Sequence, residues 1–309
     1  MKKVKVSIIQ AAPVLFDLSR SVEKTVDLIH QCAKEKPHLI LFPESFIPAY
    51  PRGLDFGAKV GYRTEEGRKL WQGYWENSVE VPGKETDIIS HAAKEARAFV
   101  AIGVTEKDTV SGSLYCSLLY FAPSGELIGK HRKIKPTGTE RLIWAEGDGG
   151  TLTTIDTGFA KIGGLICWEN YMPLARMAMY SKGVQIYLAP TADARTSWQT
   201  TLQHIAMEGR CFVLGCNQYV EKKDYPPEMQ HLISEEPDVM SSGGSVIINP
   251  MGEVIAGPLC GEEGILTAEL DISEINRAKM DFDVIGHYAR PDIFRFDVNG
   301  QPESIKLKK

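Results

Sequence analysis

The chain of 309 residues is long enough to bury a large core, and with 43% hydrophobic and 24% charged residues it has neither a disordered nor a fibrous composition. Its net charge of −5 lacks the basic excess of proteins that neutralise phosphates, so we expect no nucleic-acid partner. No run of about 18 apolar residues occurs, so the sequence predicts no transmembrane helix and no membrane partner.

The six cysteines indicate a reducing compartment. They are scattered, with no C-x-x-C pair and no grouping with histidine at the spacing of a zinc site. The first residues are basic but continue into a strand-like pattern without the apolar segment of a signal peptide. We therefore expect a cytoplasmic protein with reduced thiols and no bound metal.

The first half of the chain alternates between short strand-like runs and stretches with helical spacing, which is typical of an α/β protein. Val22, Val26, Ile29 and Ala33 recur at helical spacing. A second helix is predicted at residues 85–96, and strands at residues 4–9, 39–42, 99–105, 117–121 and 126–132. Residues 123–125 (Pro-Ser-Gly) are a turn signal, so the last two strands are predicted to form a hairpin.

The second half has a similar pattern. Helices are predicted at residues 173–181 and 198–210, and strands at residues 161–166, 186–189, 212–217, 244–248, 253–256 and 264–270. No Pro/Ser-rich linker separates the halves, so the sequence predicts a single domain with two sheets and helices outside them. The alternation stops after about Met280. We expect one domain at residues 1–280 and a C-terminal arm at residues 281–309 that packs at a subunit interface.

Glu44 is the first candidate for a reactive residue, because it follows the apolar run of residues 39–42 and Pro43. A glutamate at the rim of a core can have its pKa raised by desolvation towards that of a useful general base. The same residue could instead be a solvated loop glutamate or a helix cap.

Lys133 lies in a basic run, Gly129 to Pro136, that follows the predicted hairpin turn. In a strand, His131, Lys133 and Lys135 share one face and Lys130 and Arg132 the other, so one lysine can point inward. The run could equally be a charged edge strand or a surface anion patch.

Cys167 ends an apolar strand-like run with paired glycines and precedes a predicted helix start. A thiol at such a turn can meet a substrate, and nearby backbone N–H groups and the helix dipole are expected to favour its thiolate. The turn is similar to a nucleophile elbow without its usual G-x-S-x-G pattern. A cysteine in this position could also be a core thiol.

Together and in this order, Pro-Glu after one strand, His-Arg-Lys after a hairpin and Cys-Trp-Glu after another strand resemble the motifs of the nitrilase superfamily of carbon-nitrogen hydrolases. The resemblance covers most of the chain. It implies that Glu44 is a general base, Lys133 a fixed cation and Cys167 the nucleophile. It also implies a nitrilase-like α/β fold, a four-layer α-β-β-α sandwich in a single domain, that needs no metal or organic cofactor.

Within that superfamily the chain resembles the nitrilase branch rather than the amidase branches. The stretches that match this branch are residues 136–144, 147–149, 167–173, 190–193 and 286–292. The pattern of the branch implies that Glu140 is a second active-site glutamate, which positions Lys133. It also implies a homodimer or a higher homo-oligomer, with contacts through the C-terminal arm and the helix after Cys167.

The resemblance implies that a small organic nitrile is converted to its carboxylic acid and ammonia through a thioimidate and a thioester on Cys167. The alternative is an amidase or another carbon-nitrogen hydrolase of the superfamily, or partial hydration of the nitrile to an amide. Trp168, Trp144, Tyr50 and Tyr171 are candidates for an apolar substrate pocket, although each could be a core residue.

Two other hypotheses compete with this interpretation. A Cys-His pair built on His131 or His204 would indicate a transferase or a protease-like thiol enzyme. His131 could instead hold structure, and His204, in a helical pattern, could be a packed residue. The non-enzyme alternative is a binding or filament-forming protein that has kept the fold without the activity.

Overall fold

The computed structural model describes residues 3–300, in which two β-sheets carry most of the strands. The strands are β1 (Lys3–Gln10), β2 (Leu39–Leu41), β3 (Ala58–Lys59), β4 (Tyr62–Arg63), β5 (Val79–Glu80), β6 (Phe99–Lys107), β7 (Leu114–Phe121), β8 (Leu127–Arg132), β9 (Thr154–Asp156), β10 (Lys161–Gly164), β11 (Ile186–Pro190), β12 (Phe212–Cys216), β13 (Tyr219–Glu221), β14 (Val239–Ile248), β15 (Val254–Cys260) and β16 (Gly264–Asp271). The α-helices are α1 (Leu18–Ala33), α2 (Glu65–Glu76), α3 (Lys84–Ala96), α4 (Pro173–Ser181), α5 (Thr196–Gly209) and α6 (Ser273–Ala278).

Each large sheet has a parallel centre and antiparallel margins. The first sheet has the order β16-β1-β2-β6-β7-β8, with β5 paired to β6, and its β1, β2 and β6 are parallel. The second has the order β13-β14-β12-β11-β10-β9, with β15 paired to β14, and its β10, β11 and β12 are parallel. The predicted hairpin is confirmed, since β7 and β8 pair antiparallel.

Three hydrophobic clusters separate four layers. Ile29 of α1 and Ile89 of α3 pack on the outer face of the first sheet. Met179 of α4 and Leu202 of α5 pack on the outer face of the second. Between the sheets lie the inward side chains of both, among them Val6, Leu41, Ile162, Leu188 and Phe212. The expected four-layer α-β-β-α sandwich is therefore confirmed.

Some boundaries differ from the predicted ones. Helix α2 was not predicted, because only Gly67 and Tyr74 are fully buried along it and few apolar residues carry the helical period. Strand β10 ends at Gly164 rather than at residue 166, and β14 begins at Val239, five residues before its predicted start.

The segment after α6 runs over the second half of the sandwich. Val284, Ile285 and Phe296 pack against the cluster beneath α4 and α5, whereas Ile293 and Phe294 are exposed. Residues 301–309 of the predicted arm lie outside the described part. Within residues 3–300, no helix combines the length and apolarity needed to cross a membrane.

Candidate active site

Glu44, Lys133 and Cys167 come together in the structure because each follows the carboxyl end of a strand. Glu44 follows β2, Lys133 follows β8 directly, and Cys167 follows β10. The first two strands belong to one sheet and the third to the other. All three side chains are buried. The site therefore lies where the two sheets face each other.

A local bulge in the main chain positions Glu44. Phe42 and Phe46 donate main-chain hydrogen bonds to β6, at 2.9 and 2.7 Å, and the three residues between them form a bulge that packs against that strand. A Cβ atom on Gly103 of β6 would lie 2.2 Å from the carbonyl oxygen of Pro43 and 2.8 Å from the Cα atom of Glu44. Only glycine at this position lets the bulge approach so closely.

Lys133 is held between two carboxylates. Its Nζ atom lies 2.7 Å from Glu44 Oε1 and 2.7 Å from Glu140 Oε2. Burial alone would lower the pKa of Lys133, but the negative charges beside it raise that pKa well above its ordinary value. Lys133 is therefore a fixed cation, with two of its three donors committed to carboxylates.

Glu140 is fixed from several sides. The hydroxyl group of Tyr50 donates to its Oε1 at 2.8 Å, and the main-chain N–H of Thr137 donates to its Oε2 at 2.6 Å. Trp144 is buried beside this group, with its ring centroid 5.8 Å from Lys133 Nζ. Arg141 does not pair with Glu140, because its Nε donates to the carbonyl oxygen of Pro136.

Glu44 has the environment of a general base. Burial raises its pKa, the charge of Lys133 opposes that shift, and the charge of Glu140 adds to it, so that the pKa is raised above the ordinary value. Its Oε2 is buried and, among residues 3–300, has no hydrogen-bond partner. The Cys167 thiol lies close enough to influence the pKa of Glu44. A basic carboxylate thus lies within interaction range of a thiol.

Cys167 lies on a sharp turn. Its φ angle is 51°, in the left-handed region that non-glycine residues rarely adopt. Just before the turn, a Cβ atom on Gly164 would lie 1.8 Å from the carbonyl oxygen of Leu188, so glycine allows β10 and β11 to pack closely. The Sγ atom of Cys167 lies 3.1 Å from Thr191 Oγ1.

The expectation that the resting thiolate of Cys167 is favoured is wrong. Burial raises the pKa of the Cys167 thiol, the charge of Glu44 raises it further, and Lys133 only partly opposes the shift. The segment after the turn, Cys167–Tyr171, is a short 3-10 helix, and α4 begins only at Pro173. The macrodipole of α4 therefore does not start at the sulfur. A nucleophile in this state needs a base.

A cavity of about 500 Å³ opens on this group. Tyr50, Glu140, Cys167 and Trp168 line it, together with Arg52, Thr137, Ala192, Asp193, Ala194, Arg195, Val239, Met240 and Ser242. Two of the four predicted pocket aromatics are thus in its wall. Trp144 packs edge-on against Tyr50, with ring centroids 5.7 Å apart, and Tyr171 packs edge-on against Trp168 at 5.5 Å. Neither Trp144 nor Tyr171 lines the cavity.

Glu169 is a buried residue to which the sequence analysis gave no role. Its carboxylate accepts hydrogen bonds from the main-chain N–H groups of Ile134 and Ile166, both at 2.6 Å. It also lies 2.9 Å from Nε2 of His131. Glu169 therefore ties the segment of Lys133 to the segment of Cys167. Its spacing, three residues after the end of the apolar run, was the available signal.

The histidines considered for a Cys-His pair are both engaged elsewhere. His131 is buried, with Nδ1 2.8 Å from the carbonyl oxygen of Thr151 and Nε2 on Glu169. His204 is not a packed residue, since it is exposed on α5, 3.6 Å from Glu208. Neither contacts the sulfur of Cys167 in the structure. Among residues 3–300, no group of three or more metal-ligating side chains is found.

Comparisons with known proteins are consistent with one another. Residues 5–280 match the family model described as carbon-nitrogen hydrolase. The chain is 50% identical to an aliphatic nitrilase of Sinorhizobium fredii (strain HH103), over the full length of both. It is 45% identical to a bifunctional nitrilase/nitrile hydratase of Nicotiana tabacum, over 94% of this chain and 84% of that one.

The fold has counterparts among solved structures. A carbon-nitrogen hydrolase from Helicobacter pylori G27 superposes with a TM-score of 0.74, covering 94% of this chain and 97% of that one. The two sequences are only 21% identical, so this similarity concerns the fold.

Proposed function

We propose that the chain, which belongs to the carbon-nitrogen hydrolase family, is a nitrilase. It hydrolyses an organic nitrile to the carboxylic acid and ammonia. Cys167 is the nucleophile, Glu44 the general base and Lys133 the fixed cation. The observation that carries this proposal is the buried Glu44-Lys133-Glu140 cluster, whose Glu140 lines the same cavity as Cys167. The full-length identity to a nitrilase supports the choice of substrate class.

The first step forms a thioimidate. Glu44 accepts the thiol proton while the sulfur of Cys167 attacks the nitrile carbon, so no free thiolate has to accumulate. The proton then passes to the nitrile nitrogen. The third donor of Lys133 is available to stabilise the negative charge that develops on that nitrogen.

Two water molecules complete the reaction. Glu44 takes a proton from the first water as it adds to the thioimidate carbon, and the tetrahedral adduct, after protonation of its nitrogen, expels ammonia to leave a thioester. A second water adds to the thioester, the carboxylic acid leaves, and Cys167 regains its proton. The sum is one nitrile and two waters giving one acid and one ammonia, with no other co-reactant.

An amide is the second candidate product. If the tetrahedral adduct expels the sulfur instead of ammonia, one water is consumed and the amide is released. The relative from Nicotiana tabacum that bears both names, nitrilase and nitrile hydratase, supports this branch. An amidase of the same family would instead begin from the amide.

A substrate panel tests the proposed function. Aliphatic, aromatic and arylaceto-nitriles and the matching amides would be incubated with the enzyme, and ammonia, acid and amide would be measured. We expect ammonia and acid in equal amounts from at least one class of nitrile, with any amide in addition. Turnover of the amides alone would contradict the proposal and indicate an amidase.

Glu140→Gln is expected to lower kcat/KM about 10- to 100-fold, because the negative charge that pairs with Lys133 is lost while the shape of the side chain is kept. The nitrile that the panel identifies would be the substrate. Glu146→Gln is the matched control, since Glu146 pairs with Lys135 on the surface of the same segment. An exposed pair contributes about 0–1 kcal/mol, so this control should keep wild-type activity. If the activity of Glu140→Gln were within a few-fold of wild type, a role of Glu140 in the reaction would be excluded.

The chain is also proposed to form at least a homodimer. Four large hydrophobic residues lie on the surface of the single chain: Met172 just before α4, Leu174 in its first turn, and Tyr288 and Phe294 in the arm. Sedimentation velocity at micromolar concentration should show a dimer or a larger species, and Leu174→Glu should shift it towards the monomer. Val110, which is exposed in a loop, gives the control Val110→Glu. A wild-type protein that is monomeric and fully active would contradict this proposal.

A further inference from the structure

Thr191 follows β11, and its hydroxyl group lies 3.1 Å from the sulfur of Cys167. The side chain is buried and held in one position. Its Oγ1 accepts a hydrogen bond from the main-chain N–H of Asp193 at 2.9 Å, and its own main-chain N–H donates to the carbonyl oxygen of Cys216 at 2.8 Å. The hydroxyl group has a single proton, which it donates to the sulfur while Oγ1 accepts from Asp193.

This arrangement also leaves the proton of the Cys167 thiol available to a second group. When the sulfur accepts from Thr191, its own S–H is free to turn towards a second group. The buried carboxylate of Glu44 is the basic group that interacts with the thiol, and its Oε2 has no hydrogen-bond partner among residues 3–300. A hydroxyl donor held against the sulfur and a basic carboxylate that interacts with the thiol together favour loss of the thiol proton.

We propose that the Thr191 hydroxyl is a further catalytic group, which donates a hydrogen bond to the sulfur of Cys167 whenever that sulfur carries negative charge. Thr191 keeps its own proton throughout. The sulfur becomes negative as Glu44 takes its proton during attack, and again whenever a tetrahedral adduct expels it. A hydrogen bond to a charged acceptor is stronger than one to a neutral acceptor, so the bond is strongest in these states.

The hydrogen bond from Thr191 also influences which product is released. The adduct formed from the thioimidate can expel ammonia, which leads to acid, or the thiolate, which leads to amide. A donor on the sulfur assists only the second route. Thr191 therefore helps to set the proportion of amide to acid, besides making the thiol more reactive.

The test compares Thr191→Val, which keeps the shape and removes the hydroxyl, with Thr191→Ser, which keeps the hydroxyl. The first measurement is the rate of alkylation of Cys167 by iodoacetamide at pH 7, with mass spectrometry to locate the label, since Cys260 is exposed and will also react. We expect Thr191→Val to slow alkylation of Cys167 about tenfold, and Thr191→Ser to remain within about threefold of wild type.

The second measurement is the ratio of amide to acid from a nitrile that gives both products. Thr191→Val should lower the amide share, whereas Thr191→Ser should preserve it. This readout rests on the proposed nitrilase activity, but the alkylation rate does not, so the two proposals can fail separately. Thr191→Val with the wild-type alkylation rate would overturn the inference.

A merely structural role predicts a different pattern. Thr191→Val also removes the acceptor of the Asp193 N–H, and Asp193 Oδ2 accepts from the indole N–H of Trp168 in the cavity wall at 2.9 Å. If Thr191 only held this wall, KM for the nitrile would rise, while alkylation by a small neutral reagent and the amide share would stay unchanged. That combination would also overturn the inference.

Discussion

Cys167→Ala is expected to abolish ammonia release from every nitrile while leaving the protein folded. The sulfur is the atom that forms the thioimidate, and alanine offers no nucleophile in its place. Removing one buried sulfur leaves a small void, which costs about 1 kcal/mol of unfolding free energy. Ammonia assays with a detection limit far below wild-type turnover would measure the first effect, and thermal unfolding followed by circular dichroism the second.

The control for this variant is Cys211→Ala. Cys211 is also a buried thiol, but it packs in the cluster beneath α4 and α5, away from the cavity. We expect a similar cost in stability and no loss of turnover. Cys116 is less suitable, because its Sγ lies 3.6 Å from Glu44 Oε1. Ammonia release by Cys167→Ala at a measurable fraction of the wild-type rate would exclude Cys167 as the nucleophile.

Glu44→Gln is expected to lower kcat about 10²- to 10⁴-fold, the range typical for loss of a general base. The amide can still accept a hydrogen bond from Lys133, but its NH₂ group, next to the thiol, cannot take up a proton. The wild-type enzyme should lose activity as pH falls through the pKa of Glu44, because only the carboxylate accepts the thiol proton. Since burial raises that pKa, the loss should begin above the ordinary value of about 4.3.

The pH profile separates a missing base from a distorted site. The residual activity of Glu44→Gln should not show the acid limb that Glu44 produces in the wild type. Glu95→Gln is the matched control, because Glu95 pairs with His30 on the surface. If Glu44→Gln kept both the wild-type rate and the acid limb, another group would have to be the base.

Local patterns made the three central residues predictable. Glu44, Lys133 and Cys167 each follow a recognisable strand, and the combination of their three motifs, with the family resemblance it carries, singled them out where each motif alone left a structural role open. Glu169 and Thr191 could not be given roles in this way. Glu169 meets His131 across 38 residues of chain and Thr191 meets Cys167 across 24, and neither partner is visible until the strands are assembled.

Burial was the property that the sequence conveyed least well. The sequence predicted both Trp144 and Trp168 as possible pocket residues. In the structure Trp144 is 2% exposed and does not line the cavity, whereas Trp168 is 39% exposed and does. The expectation of a favoured thiolate at Cys167 failed for the same reason, because burial raises the pKa of this thiol. Fold class depends on the periodicity of many residues and was therefore the more robust prediction.

Because the site is divided between two sheets, turnover depends on how well the core keeps those sheets in place on heating. Glu44 and Lys133 belong to one sheet, and Cys167 and Thr191 belong to the other. The distance between base and sulfur is therefore a distance between two layers, maintained by side chains such as Leu41 and Leu188. Reactions of this kind are sensitive to displacements of about 1 Å. On heating, slippage of one layer against the other would end turnover while every strand was still intact.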